Sequence, residues 1–179
     1  MHVLKRPVML SVAKPKVGMT TQEHTEVGRQ IWEGGLDLLK DDENLSNQFF
    51  NHFENRVKAC LKVRDRIEHK TGEKKSYLIN ITGPTVKEME KRAKFIAKEG
   101  GEFAMIDIIT SGWAGVSSMR EICGDLGLAM HAHRAMHGAI TRNKYQGISM
   151  QTIAKIARLL GVDTLHIGTA NVGKLVGTY

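Results

Sequence analysis

Residues 76–106 read SYLINITGPTVKEMEKRAKFIAKEGGEFAMI, and this stretch decides the fold. It begins with an apolar run from Ser76 that suits a strand. A Thr85-x-x-Glu88 capping box follows. Val86, Met89, Ala93, Ile96 and Ala97 then share one helical face, and Gly100-Gly101 stops the helix before a new apolar run starts near Phe103. Strand, amphipathic helix and strand in that order make a β-α-β unit, whose two strands run parallel.

The unit repeats outward in both directions. Candidate strands begin near Val8, Leu36, Ser76, Phe103, Leu128 and Asp163, at intervals of 25 to 40 residues. The first helix opens on a Thr20-x-x-Glu23 box and runs through Val27 and Ile31 to Gly34-Gly35. The second uses Phe53, Val57 and Leu61 and ends at Thr71-Gly72; the fourth uses Val116, Met119, Cys123 and Leu126 and ends at Gly127. The last uses Met150, Ile153, Ala157 and Leu160 before Gly161. About six parallel strands with alternating helices define an α/β fold. A doubly wound sheet carries a glycine-rich phosphate loop after its first strand, and Lys14-Pro15-Lys16-Val17-Gly18 is no such loop. Ionisable residues instead follow the first, second, third, fifth and sixth strands. That is the pattern of a (β/α)8 TIM barrel, in which every strand end serves one site. Eight units need roughly 250 residues, and the chain has 179. The expectation is an incomplete barrel: one partial domain over residues 1–179, lacking the last two barrel strands, with open edges that a second copy or a complementing chain would cover.

Composition narrows the function classes. The chain is 41% hydrophobic and 25% charged, with a formal net charge of +7. The basic residues are interleaved with acids along the helices and no nucleic-acid motif accompanies them, so no nucleic-acid partner is expected and an anionic substrate accounts for the balance. No apolar run reaches membrane-spanning length and no secretory pattern opens the chain, so a cytoplasmic protein with no membrane partner is expected. Cys60 and Cys123 sit inside apolar helical patterns and read as buried free thiols.

The chemistry-bearing groups cluster at strand ends. Leu36-Asp37-Leu38-Leu39 runs into Lys40-Asp41-Asp42-Glu43. Three acids beside a lysine gain nothing from burial, but Asp42 and Glu43 supply the hard oxygen ligands that Mg²⁺ prefers. Lys40 joins such a site only if its amine becomes an anion, as carbamylation by CO₂ achieves. The alternative is a solvated charge cluster. Lys14 and Lys16 flank Pro15 and suit an anionic substrate, or a basic surface turn. Asn80 ends the third strand, where it either holds a loop or touches substrate. His131 and His133 share a face of the fifth strand next to Arg134, with His137 beyond; proton shuttling beside phosphate and zinc binding are the competing readings. His166 ends the sixth strand, and Gly168 and Gly173-Lys174 flank a segment that could close over a ligand.

Ala13-Lys14-Pro15-Lys16-Val17-Gly18, Lys40-Asp41-Asp42-Glu43-Asn44, Asn80-Ile81-Thr82, His131-Ala132-His133-Arg134-Ala135-Met136-His137 and His166-Ile167-Gly168-Thr169 with Gly173-Lys174 together resemble the large subunit of ribulose-bisphosphate carboxylase/oxygenase, closest to its archaeal form III. The resemblance implies that Lys40 is carbamylated by CO₂ and, with Asp42 and Glu43, binds Mg²⁺, and that the carbamate helps remove the C3 proton of ribulose 1,5-bisphosphate. It implies that Lys14, supported by Lys16, protonates the product carbanion, that His133 moves protons near C3, that Asn80, Arg134 and His166 contact substrate, and that Lys174 stabilises the new carboxylate. It further implies a place in nucleotide salvage and the absence of the family's N-terminal domain. The chain departs from the family at Leu10, where a glycine is usual, and at Leu175-Val176, where the family carries a glutamate. A carboxylase-like enolase or isomerase and a non-catalytic, self-associating half-barrel are the alternatives.

Overall fold

The computed structural model describes residues 6–143 and 145–168. In chain order these form β1 (Leu10–Val12), α1 (Thr21–Glu33), β2 (Leu38–Lys40), α2 (Phe53–Thr71), β3 (Ser76–Asn80), α3 (Val86–Lys98), β4 (Phe103–Asp107), α4 (Ile108–Asp125), β5 (Ala129–His133), a short α5 (Gly138–Thr141), α6 (Met150–Leu159) and β6 (Thr164–Leu165). The six strands make one parallel sheet in the order β1-β2-β3-β4-β5-β6. A sheet whose spatial order follows chain order never reverses direction. Right-handed crossovers then put every helix on the same face, and the sheet curls into a half-barrel. This is the incomplete α/β barrel expected from the sequence.

The caps explain where the helices start. Thr20 and Glu23 form a reciprocal capping box at α1. At α3 only half of the expected box forms: Thr85 accepts from the Glu88 N–H at 3.1 Å. The Glu88 carboxylate turns instead to Nε of Arg92 at 3.1 Å, because a buried guanidinium needs the charge more than a solvent-facing N–H does. The fourth helix starts earlier than its apolar spacing implies, directly after β4, and bends at Gly112, whose φ of 70° lies in the left-handed region.

Strand alternation separates two interiors. Leu39, Tyr77, Ile79, Ala104, Ile106, Met130 and Ala132 point outward and pack with Trp32, Val57, Ala93, Ile96, Val116, Met119 and Ile153 of the helices. Each fully buried aliphatic side chain in such a layer stabilises by about 1.5–3 kcal/mol. Cys60 and Cys123 lie in this layer as free, buried thiols, as expected. Alternate residues face the concave side: Leu38, Lys40, Leu78, Asn80, Met105, Asp107, His131 and His133, all buried. Leu38, Leu78 and Met105 are apolar, and β2, β3, β4 and β5 each end on a polar residue, so the polar groups gather on the C-terminal rim. Among the described residues β1 and β6 are the sheet edges, and Val8, Met9 and Leu10 at the β1 edge are exposed. No described helix is long and apolar enough to cross a membrane.

Candidate active site at the C-terminal rim

Lys40, the last residue of β2, is the centre of the rim. Its side chain is 1% exposed; Nζ donates to the Asp41 carbonyl at 2.8 Å and lies 3.8 Å from Oε2 of Glu43. Burial pushes its pKa below the ordinary lysine value, and the charges of Glu43, Asp41, Asp42 and Asp107 only partly restore it. An amine held this way is more often neutral, hence nucleophilic, than one in water.

Asp42 is buried, with both oxygens engaged. Nζ of Lys14 donates to Oδ2 at 2.5 Å, and the Asn44 backbone N–H and Nδ2 donate to Oδ1 at 3.0 and 2.8 Å. Burial raises this carboxyl, but the hydrogen bonds from Lys14 and Asn44 outweigh it and the net shift is downward. Lys14 directly precedes a cis peptide bond to Pro15. Lys16, by contrast, is exposed and makes no hydrogen bond or ion pair among the described residues.

Glu43 reaches the opposite side, where its Oε2 lies 3.5 Å from Nε2 of His133. The His133 ring accepts the Ala135 N–H on Nδ1 at 3.1 Å, so in the neutral ring the proton sits on Nε2, facing Glu43. His166 stacks on His133 at 4.9 Å between centroids; partial loss of water, then His133 and Lys40, push its pKa down to about 4. His131 points inward as expected, its Nδ1 2.7 Å from the Thr164 hydroxyl, and burial pushes it down to about 3. Arg134 is buried at the wall of a cavity of about 500 Å³ that Glu43, His133, His137, Arg142 and His166 also line. Gly168 closes that wall. Its φ is +107°, a conformation that favours glycine, and an added Cβ would sit 1.9 Å from a terminal nitrogen of Arg134, so a side chain here would push the guanidinium aside.

Asn80 resolves toward the loop. Its Nδ2 donates to the carbonyls of Glu43 and Leu45 at 3.0 and 3.1 Å and its Oδ1 accepts from Thr82 N–H at 3.0 Å, so the amide holds the turn after β2. Lys174 lies outside the described residues. Two groups escaped the sequence reading. Asp107 ends β4 on the inward face, 3.4 Å from Nδ1 of His133, with an Oδ1 that is buried and without a hydrogen bond. Period-two counting from Met105 would have found it. Arg142 reaches the cavity from the C-cap of α5, a four-residue helix too short to leave a periodic signal.

Among the described residues no group of three His, Cys, Asp or Glu side chains is arranged to hold a metal ion. Two carboxylates, Asp42 and Glu43, flank a lysine, and a third oxygen donor exists there only if that lysine acquires one. The rim therefore offers a buried nucleophilic amine, two acids, a histidine stack and a guanidinium-lined cavity around one centre.

This arrangement has close counterparts. A family model described as the ribulose bisphosphate carboxylase large chain, catalytic domain, matches residues 1–179. The ribulose bisphosphate carboxylase of Pyrococcus abyssi is 55% identical over the whole chain, which spans 42% of that protein; that of Methanosarcina barkeri is 51% identical over 98% of the chain and 41% of the relative. The crystal structure of octameric Rubisco from Pyrococcus horikoshii OT3, a complex with sulfate ion, superposes with a TM-score of 0.91 at 56% identity, covering 97% of this chain and 41% of that one. Dimeric archaeal Rubisco from Hyperthermus butylicus gives 0.89 at 47% identity, covering 95% and 40%. The chain thus spans about two fifths of the length of these relatives, and it belongs to the ribulose bisphosphate carboxylase large-chain family.

Proposed function

We propose that this chain carries the magnesium end of a carboxylase that converts ribulose 1,5-bisphosphate, CO₂ and water into two 3-phosphoglycerates, in the setting of nucleotide salvage. The observation that carries the reading is the Lys40 amine: buried at a strand end, lowered in pKa by that burial, 3.8 Å from Glu43 and felt by the charge of Asp42. A neutral amine adds CO₂, and the resulting carbamate is the oxygen anion that completes a three-donor set with the two carboxylates. The residues present therefore fit Mg²⁺, provided the Lys14 ammonium leaves Oδ2 of Asp42. When bound, Mg²⁺ supplies a Lewis acid for the substrate's C2 and C3 oxygens.

The remaining roles are those the family resemblance implies, part of the same proposal. His133, with its proton on Nε2, relays a proton at C3. Lys14, already within hydrogen-bonding distance of Asp42, delivers a proton to C2 once the C2–C3 bond has broken. Lys16 adds positive charge beside it. Arg134 and His166 hold one phosphate at the cavity wall, where a planar guanidinium offers paired donors. Asn80 keeps the turn after β2 in place for the substrate, and Lys174 would neutralise the new carboxylate.

The test is to supply ribulose 1,5-bisphosphate, labelled bicarbonate and Mg²⁺, first to the chain alone and then with the remainder of a relative's chain added. Labelled phosphoglycerate supports the reading; none under either condition would end it. A second reading has one observation in its favour. The exposed apolar residues Val8, Met9 and Leu10 at an unpaired edge suit pairing with another copy, and a chain that stays monomeric at micromolar concentration would contradict it.

A further inference from the structure

The end of β2 carries a second set of polar contacts that carboxylation chemistry does not use. Asp41 lies between Lys40 and Asp42 in sequence, but alternation turns its side chain into the helix layer, where it is 0% exposed. Oδ1 accepts the Tyr77 hydroxyl and lies 3.3 Å from Nε2 of His24. Oδ2 accepts the Asn80 backbone N–H at 3.0 Å and an Arg56 terminal nitrogen at 3.4 Å.

Two of these partners lead back to the same segment. Arg56 donates onward to the carbonyls of Ser46 and Asn51 at 2.9 and 3.0 Å, and Asn80 donates to those of Glu43 and Leu45. One arm holds the near part of the turn after β2, and the other holds its far part. The Asp41 carbonyl is also the acceptor for Nζ of Lys40.

We propose that Asp41 is the positioning residue of the magnesium end: by holding Arg56 and the Asn80 backbone from behind, its carboxylate sets where Asp42, Glu43 and the Lys40 amine stand, without touching the cation. The inference rests on the magnesium reading above. A buried ion pair serving stability alone would have no reason to send both of its arms into the ligand-bearing turn.

The test uses the 179-residue chain with ¹³C-labelled bicarbonate and Mg²⁺, reading the Lys40 carbamate by ¹³C NMR across a Mg²⁺ titration, with amide hydrogen exchange over residues 42–51 as a metal-free readout. Asp41→Asn should raise the half-saturating Mg²⁺ concentration at least tenfold, in the range typical of lost supporting contacts, and speed exchange across the turn. Because that variant strands a buried guanidinium, the double variant Asp41→Asn/Arg56→Met removes both charges, and Asn80→Ala cuts the other arm with no charge change. Both are expected to show the same direction of shift while melting cooperatively. Wild-type carbamate formation and Mg²⁺ dependence in the folded double variant and in Asn80→Ala would overturn the proposal and leave Asp41 a stability role only. A wild-type chain with no carbamate signal would instead bring down the magnesium reading, and this inference with it.

Discussion

Neighbouring residues at the end of β2 face two different worlds. On the outward side, the Asp41 carboxylate has a hydroxyl, a guanidinium and a backbone N–H on it; burial alone would raise its pKa, yet Arg56, His24 and Tyr77 hold it down to about 2. On the inward side, Lys40 has one carbonyl and a carboxylate 3.8 Å away, and its burial is poorly compensated. The outward pair is arranged as a fold arranges charge it must bury, with both carboxylate oxygens of Asp41 engaged. The inward amine is kept under-satisfied, which is how a site keeps a group reactive. A single step of strand alternation divides the two.

Several substitutions would break or sharpen that contrast. The largest effect is expected from Lys14→Met, which removes a proton donor on the inward side: turnover of the reconstituted carboxylase should fall by about 10²–10⁴-fold, while Mg²⁺-dependent carbamate formation persists because Lys14 only competes for Asp42. On the outward side, Arg56→Met strands a buried carboxylate and should cost about 3–5 kcal/mol in urea denaturation. A loss below 1 kcal/mol would show that Asp41 is not held as its contacts imply. The inward counterpart, Lys40→Met, should leave stability unchanged or raise it by about 1 kcal/mol, since a poorly paired buried ammonium is replaced by an apolar chain of similar length. If Lys40→Met destabilised as much as Arg56→Met, the two sides would be alike and the contrast would collapse.

A further effect separates the sides by the pH window in which each is felt. His131 has a folded pKa of about 3, below its ordinary 6.5. Between those values the unfolded chain binds a proton that the folded chain does not. Stability therefore falls as pH drops through that window, by about 1.4 kcal/mol per pH unit for this one group, and the penalty is complete below about pH 3. Asp41 shifts stability in the same direction but in a lower window: its contribution is intact above the ordinary carboxylate range and is lost only as pH falls toward 2. Unfolding measured between pH 4 and 7 should thus show a shallower slope in His131→Asn than in the wild type, and an unchanged slope would exclude His131 as the acid-sensitive group.

The same contrast explains what could be read from the sequence. Inward groups at strand ends announce themselves locally: Lys40-Asp41-Asp42-Glu43 after an apolar run, and His131 and His133 two apart. Capping boxes and paired glycines placed α1 and α3 with little error, because those signals act within one turn. The outward network left no such trace. Tyr77, His24 and Arg56 converge on Asp41 from three other elements, 36, 17 and 15 residues away in sequence, and only the packed half-barrel brings them together. Asn80 was ambiguous for the same reason, since its loop partners are 35 and 37 residues distant. Asp107 passed unnoticed because β4 runs into α4 with no loop to mark the strand's end.

The most direct measurement is the ¹³C NMR spectrum of the chain in labelled bicarbonate with and without Mg²⁺. A carbamate resonance that strengthens with Mg²⁺ and vanishes in Lys40→Arg is the predicted result. A spectrum with no such resonance, or one that survives the loss of Lys40, would contradict the assignment of this lysine as the group on which the site is built.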